Sequence, residues 1–178
     1  MDIDPETAKA LGFPKPAYTV VERERRWLCR DVPRERVVLS ESITDLYVTG
    51  SRLRLREARP LDGGPARLRL SRKADIDART RLITSIYLPE EEFAVLAASL
   101  HGLRITKLRY RLQSPPGVVL SVDRFQGELD GLIMVEAEFG TLDLMAAFPA
   151  PDFACREVTD DLRYSGGHLV KHGLPKDR

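Results

Sequence analysis

The sequence predicts one α+β domain dominated by antiparallel strands. Apolar and charged residues alternate with a period of two over several segments, Gly- and Pro-containing turns separate them, and a single acid-led helix interrupts the series. The 178 residues are 43% hydrophobic, enough for one core, and no linker or internal repeat divides them. Basic and acidic residues nearly cancel, 28 against 27, which argues against disorder and against a generic nucleic-acid binder. No apolar run approaches the ~18 residues of a membrane helix. The acidic start Met1–Glu6 lacks the apolar core of a secretory leader. Cys29 and Cys155 have no metal-type spacing and read as small buried thiols. The expectation is a cytoplasmic protein without a nucleic-acid or membrane partner.

Residues 1–17 carry three prolines and read as a loose arm with one helical turn around Glu6–Leu11; 18–178 form the domain. In Val21–Leu28, Glu22, Glu24 and Arg26 share one strand face. Along Ser51–Glu57, Arg52, Arg54 and Arg56 oppose Leu53 and Leu55. After the turn Asp62-Gly63-Gly64-Pro65, Arg67, Arg69, Ser71 and Lys73 oppose Leu68 and Leu70, which makes a hairpin. Arg79–Leu88 is a further strand. Pro89-Glu90-Glu91-Glu92 opens the helix, with Phe93, Leu96 and Leu100 as its apolar stripe and Gly102 at its end. Arg104–Gln113, Val118–Phe125 and Leu132–Phe139 complete the strands, a short helix spans Asp143–Phe148, and the tail after Tyr164 reads as irregular.

The charges are sorted by strand as well as by face. Arg52, Arg54, Arg56, Arg67, Arg69, Lys73, Lys107, Arg109 and Arg111 supply rows of cations, while Glu22/Glu24 and Glu136/Glu138 supply carboxylate pairs. If the sheet closes into a barrel, these faces line its lumen. Arginine forks bind phosphate oxygens, and paired carboxylates hold Mg²⁺ or Mn²⁺ against them, so the pattern fits metal-assisted phosphoryl chemistry. Arg56, Arg67, Arg69 and Arg111, taken singly, read as strand-end residues in water.

These segments, in this order, resemble the CYTH superfamily of triphosphate tunnel metalloenzymes. Glu22-Arg23-Glu24-Arg25-Arg26 is similar to its Glu-x-Glu-x-Lys signature, with Arg for Lys. Ser51-Arg52-Leu53-Arg54 resembles its basic strand, Leu70-Ser71-Arg72-Lys73 its Leu-Thr-x-Lys strand and Lys107-Leu108-Arg109-Tyr110 its Lys-x-Arg-Tyr element. Val122–Leu132, Glu136-Ala137-Glu138-Phe139 and Arg156–Ser165 are similar to its aspartate strand, second acidic pair and closing segment.

The resemblance implies a closed eight-stranded antiparallel β-barrel, a tunnel with flanking helices. It implies hydrolysis of inorganic tripolyphosphate or a small organic triphosphate with Mg²⁺ or Mn²⁺. Glu22, Glu24, Asp123, Glu136 and Glu138 would hold metal. Arg26, Arg52, Arg54, Lys73, Lys107, Arg109 and Arg163 would bind phosphate, and Glu22, Glu24, Arg26 and Lys73 would carry catalysis. Glu157 is a further C-terminal candidate. The expected partner is a triphosphate or polyphosphate, and a homodimer is kept open. Two departures make the lumen more cationic: no acid in Arg79–Ile86, and Arg124 in the aspartate strand. They favour one alternative, a binding module for polyphosphate or a nucleoside triphosphate; another, an adenylate cyclase, shares the tunnel, but no feature of the sequence demands the nucleoside pocket it needs.

Overall fold

The computed structural model describes residues 3–176. Nine strands form one antiparallel sheet: β1 (Val20–Cys29), β2 (Val37–Val48), β3 (Leu53–Pro60), β4 (Arg67–Asp75), β5 (Thr80–Tyr87), β6 (Gly102–Leu112), β7 (Val118–Phe125), β8 (Ile133–Phe139) and β9 (Ala154–Glu157). The order β5-β4-β3-β2-β6-β7-β8-β1 closes on itself because the first half of β1 pairs with β5, Glu22 opposite Arg81, while its second half pairs with β8, Arg26 opposite Glu136. Where β5 leaves β1, β9 takes its place, with Trp27 opposite Glu157. Closure leaves eight strands without an edge and gives every inward side chain a shared lumen.

Strand β2 has no counterpart in the sequence reading. Its inward row, Glu41, Ile43, Asp45 and Tyr47, mixes acids with apolar residues, and its other row mixes Ser, Thr and Leu46. Neither face is apolar, so the period-two signal cancels.

The helices cover the barrel unevenly. On α1 (Pro5–Ala10), Asp4 caps the first turn, accepting from the Thr7 backbone N–H at 2.9 Å. Ala8 and Phe13 are buried against Ala74 and Leu82, so residues 3–13 are docked rather than loose. Helix α3 (Leu142–Ala147) brings Met145, with Phe148 beyond it, against Trp27 and Phe139, on the sides of β1 and β8 that face away from their acids. Helix α2 (Glu90–Ser99) buries none of its residues, and Val95 is exposed; the apolar stripe only half-covers itself on the barrel. Cys29 is buried as expected, but Cys155 is exposed.

The tail is helical, not irregular. Helix α4 (Gly166–His172) has Ser165 as its N-cap, accepting from the His168 N–H, and ends at Gly173, whose φ of 72° suits glycine. Leu169, 1% exposed, joins Ile105, Phe125, Met134 and Tyr164 in a core that fills one end of the barrel. Gly166-Gly167 hid this helix, because glycine lowers helix propensity where a cap and burial restore it.

Gly102 starts β6 hard against β2. A Cβ there would lie 2.0 Å from the Tyr47 carbonyl oxygen. Gly102→Ala is therefore expected to force the β2–β6 ladder apart and destabilise the protein by about 1–3 kcal/mol, read by urea denaturation; an unchanged midpoint would show that the ladder end gives way freely.

Candidate functional site

Three cavities run into one another along the barrel. The central one is lined by Glu22, Glu24, Arg26 and Glu136/Glu138 from β1 and β8, Asp45 and Tyr47 from β2, Arg54 and Arg56 from β3, Arg69 and Lys73 from β4, Arg81 from β5 and Lys107 and Arg109 from β6. It shares Arg54, Lys73 and Arg81 with a larger hollow of about 700 Å³ at the β2–β3 turn and α4. Towards the opposite mouth it shares Glu22, Arg69 and Glu138 with a cavity of about 220 Å³.

The wall is built from buried ion pairs whose partners are fixed by cross-strand register. Asp123, 0% exposed, accepts from Lys107 Nζ and twice from the Arg109 guanidinium, Nε at 2.7 Å and Nη2 at 2.6 Å. Arg109 also donates to Glu136. Burial alone would raise the Glu136 carboxyl, but Arg109, Lys107 and Arg26 drive it well below the ordinary range. Asp45 accepts two 2.6 Å bonds from Arg56, its opposite residue on β3, and lies 3.7 Å from Arg54. Those arginines hold its carboxyl far below its usual value despite burial. Glu24 takes Arg26 at 2.7 Å and Arg81 at 2.8 Å.

Lys73 meets Glu22 at 2.5 Å. Burial, with Arg54 close by, lowers the Lys73 ammonium to about 8, while Glu22 is brought below its ordinary value by Lys73 against the pull of burial. Glu138 differs from its neighbours. No ion pair among the described residues reaches it, and burial together with Glu22 and Glu136 lifts its carboxyl above the usual range. Guanidinium N–H groups are also left over: Nε and Nη2 of Arg54 and Nε of Arg69 and Arg81 are buried without a hydrogen-bond partner. Unsatisfied buried donors beside an uncompensated carboxylate are the signature of a site that awaits ligands of both signs.

Most of the residues picked from the sequence meet in this lumen, but Arg52, Arg163 and Glu157 do not. Arg52 is exposed at the rim, on the hollow by the β2–β3 turn, and the inward pair of β3 is Arg54 and Arg56. The alternation marked all three residues, and the turn at Gly50 decides where the inward row begins. Arg163 pairs with Asp161 at 2.7 Å beside a separate surface hollow lined by Asp160 and His168. Asp45, Arg56, Arg69 and Arg81 are lumen residues that the sequence reading left out of the site. Arg81 stands on the strand without acids and answers Glu24.

Glu157 belongs to the outer wall. Its carboxylate holds Arg25 Nε and Nη2 at 2.9 and 2.8 Å, and those bonds, with one from the Thr159 hydroxyl, bring it to about 2 against the opposing effect of burial. Because the folded value lies below the ordinary one, this contribution is complete above about pH 4.5 and is lost as pH falls towards 2. With the side chain about one-third exposed, solvent holds it to roughly 1 kcal/mol or less. Glu157→Gln is expected to flatten the acid limb of the stability profile over that window and leave it parallel to wild type above pH 5; an unchanged acid limb would remove the pair from the ledger.

No family model matches the sequence. A crystal structure of an inorganic triphosphatase superposes with a TM-score of 0.56 at 27% identity, over 85% of this chain and 95% of that one. The chain has the triphosphate-tunnel fold of the CYTH superfamily. Two curated relatives agree with the tunnel assignment. An inorganic triphosphatase from Nitrosomonas europaea is 37% identical over 85 residues, 48% of this chain and 56% of that protein. Another from Acetivibrio thermocellus is 46% identical over 68 residues, 38% and 42% of the respective chains. These matches span about half the length of each relative. Among the described residues no helix is long and apolar enough to cross a membrane.

Proposed function

We propose that this tunnel binds and hydrolyses a triphosphate, inorganic tripolyphosphate first among them. The observation that carries the proposal is the leftover donor set of Arg54, Arg69 and Arg81 around the unpaired Glu138. Phosphoryl transfer asks a protein chiefly for positioning and for neutralisation of charge on the phosphate oxygens. Arg54, Arg81 and Arg26 present fixed guanidinium groups, and Lys73 adds an ammonium that is charged at neutral pH. The wall pairs built on Asp45 and Asp123 keep their arginines and Lys107 from turning when an anion enters. No covalent protein intermediate is needed.

The acids divide into two groups in relation to a metal ion. Among the described residues no three acidic, His or Cys side chains converge as a ready-made site. Glu24, Asp123 and Glu136 are engaged by cations of the wall. Glu138 is an uncompensated buried carboxylate, and Glu22, although paired with Lys73, is close enough to raise its pKa, so these two fit an Mg²⁺ or Mn²⁺ ion. Magnesium is commonly held by one or two carboxylates together with substrate phosphates. Such an ion would supply Lewis-acid polarisation of a phosphoryl oxygen and orient a water nucleophile.

A second reading rests on Arg81. It occupies the strand on which the resemblance leads one to expect acids, and it claims Glu24. That favours capture of a polyphosphate without turnover. Phosphate release from tripolyphosphate, ATP and thiamine triphosphate, with Mg²⁺, with Mn²⁺ and with chelator, decides between them. Metal-dependent release is expected. A raised Tm with tripolyphosphate but no release would establish the binder, and cyclic AMP from ATP would establish a cyclase.

A further inference from the structure

The lumen continues past its centre. A cavity of about 220 Å³ lies between the centre and a mouth rimmed by Arg67, Arg111 and Tyr87. Arg67 is held by Glu41 at 2.5 Å. Arg69 and Arg111 have no such partner: neither makes an ion pair among the described residues, and the Arg69 Nε is buried without an acceptor. The register sharpens the problem, because Arg69 stands directly opposite Arg56, whose charge is already matched by Asp45. Like charges placed opposite each other across a ladder destabilise it. Burial, with Arg56 and Arg54 near, also weakens the hold of Arg69 on its proton, and burial with Arg109 does the same at Arg111. A fold carries this arrangement where an anion relieves it.

We propose that this far mouth is a second oxyanion site, in which Arg69 and Arg111 hold phosphates of a linear polyphosphate beyond those in the centre. Four residues of β4 separate Lys73 from Arg69 on the same face, roughly 13 Å, a span for a phosphate chain rather than for a single phosphate. Glu22 and Glu138 lie between the two regions and line both cavities. A chain passing through would therefore be gripped on either side of the acids. The inference rests on the triphosphate reading of the centre and extends it to longer chains.

Calorimetric binding in chelator tests it, using tripolyphosphate and a longer linear polyphosphate against wild type and the variant Arg111→Gln, since Arg111 lines the far cavity and not the central one. Arg124→Gln, which removes one exposed arginine, matches the change in net charge. Wild type and this control are expected to bind the longer chain about tenfold more tightly than the lumen variant does, while tripolyphosphate binds all three within about twofold. The lumen variant should also melt no lower than wild type, since Arg111 makes no ion pair among the described residues and its charge stands near that of Arg109. Equal loss of both ligands would place Arg111 in the central site and overturn the inference. No loss of either would overturn it too, leaving the central reading intact. If wild type binds neither ligand, whether in chelator or with Ca²⁺ present, the central reading fails and takes this one with it.

Discussion

Asp123→Asn is expected to destabilise the protein by about 3–5 kcal/mol, because removing one partner from a buried ion cluster leaves uncompensated charge behind. Asp123 is fully buried and neutralises Lys107 and Arg109 together, accepting three hydrogen bonds from them. Asparagine keeps the shape but not the charge, and its amide turns donors towards donors. Arg109 retains Glu136, whereas Lys107 retains no carboxylate in ion-pair range among the described residues. Lys107→Met in the Asp123→Asn background should therefore recover part of the loss, about 1–2 kcal/mol. Urea denaturation of the single and double variants measures both quantities. A loss below ~1 kcal/mol for Asp123→Asn would mean that water reaches the cluster and the wall is softer than its burial indicates.

That cluster shows why the site was only partly legible in the sequence. Alternation alone marks Lys107, Arg109, Glu136 and Glu138 as inward, since a strand's faces follow from a period of two. It cannot say that Asp123 falls opposite Arg109, because register depends on turns and bulges elsewhere in the barrel. The resemblance marks Asp123 as a metal ligand but cannot show that it accepts from both Lys107 and Arg109. Arg56 looked like a strand-end cation, yet the pairing of β2 with β3 sets it on Asp45. Asp45 itself was out of view because β2 was. A strand whose inward row holds Glu41 and Asp45 gives no apolar face to detect, and its acids are intelligible only once the arginines of β3, β4 and β6 surround them. The fold was legible where one face of a strand is apolar, as in β3, β4 and β8. Strand β2 and the helix α4 were not, since their signals arise from partners distant in sequence.

The second large effect concerns Glu138. Glu138→Gln is expected to reduce phosphate release by at least about 100-fold while the unliganded protein melts at or slightly above the wild-type temperature. The two readouts move apart because Glu138 is the one acid of the β1/β8 face that the wall does not neutralise. It sits opposite Glu24 in the register and near Glu22 and Glu136, so its charge is repelled in the absence of a cation. Glutamine relieves that repulsion and at the same time removes a carboxylate from the region where a metal ion would sit. Glu136→Gln provides the contrast. It takes a carboxylate from the same strand, but one bonded to the buried Arg109, so activity and stability should fall together, the latter by about 2–4 kcal/mol. Thermal melting beside initial-rate assays separates the two cases. If Glu138→Gln lowers Tm as much as Glu136→Gln does, Glu138 is a structural counter-ion of the lumen and its place at the metal is lost. If its rate is unchanged, the carboxylate that the fold leaves unpaired has no part in turnover, and hydrolysis must rest on Glu22 and the cations alone.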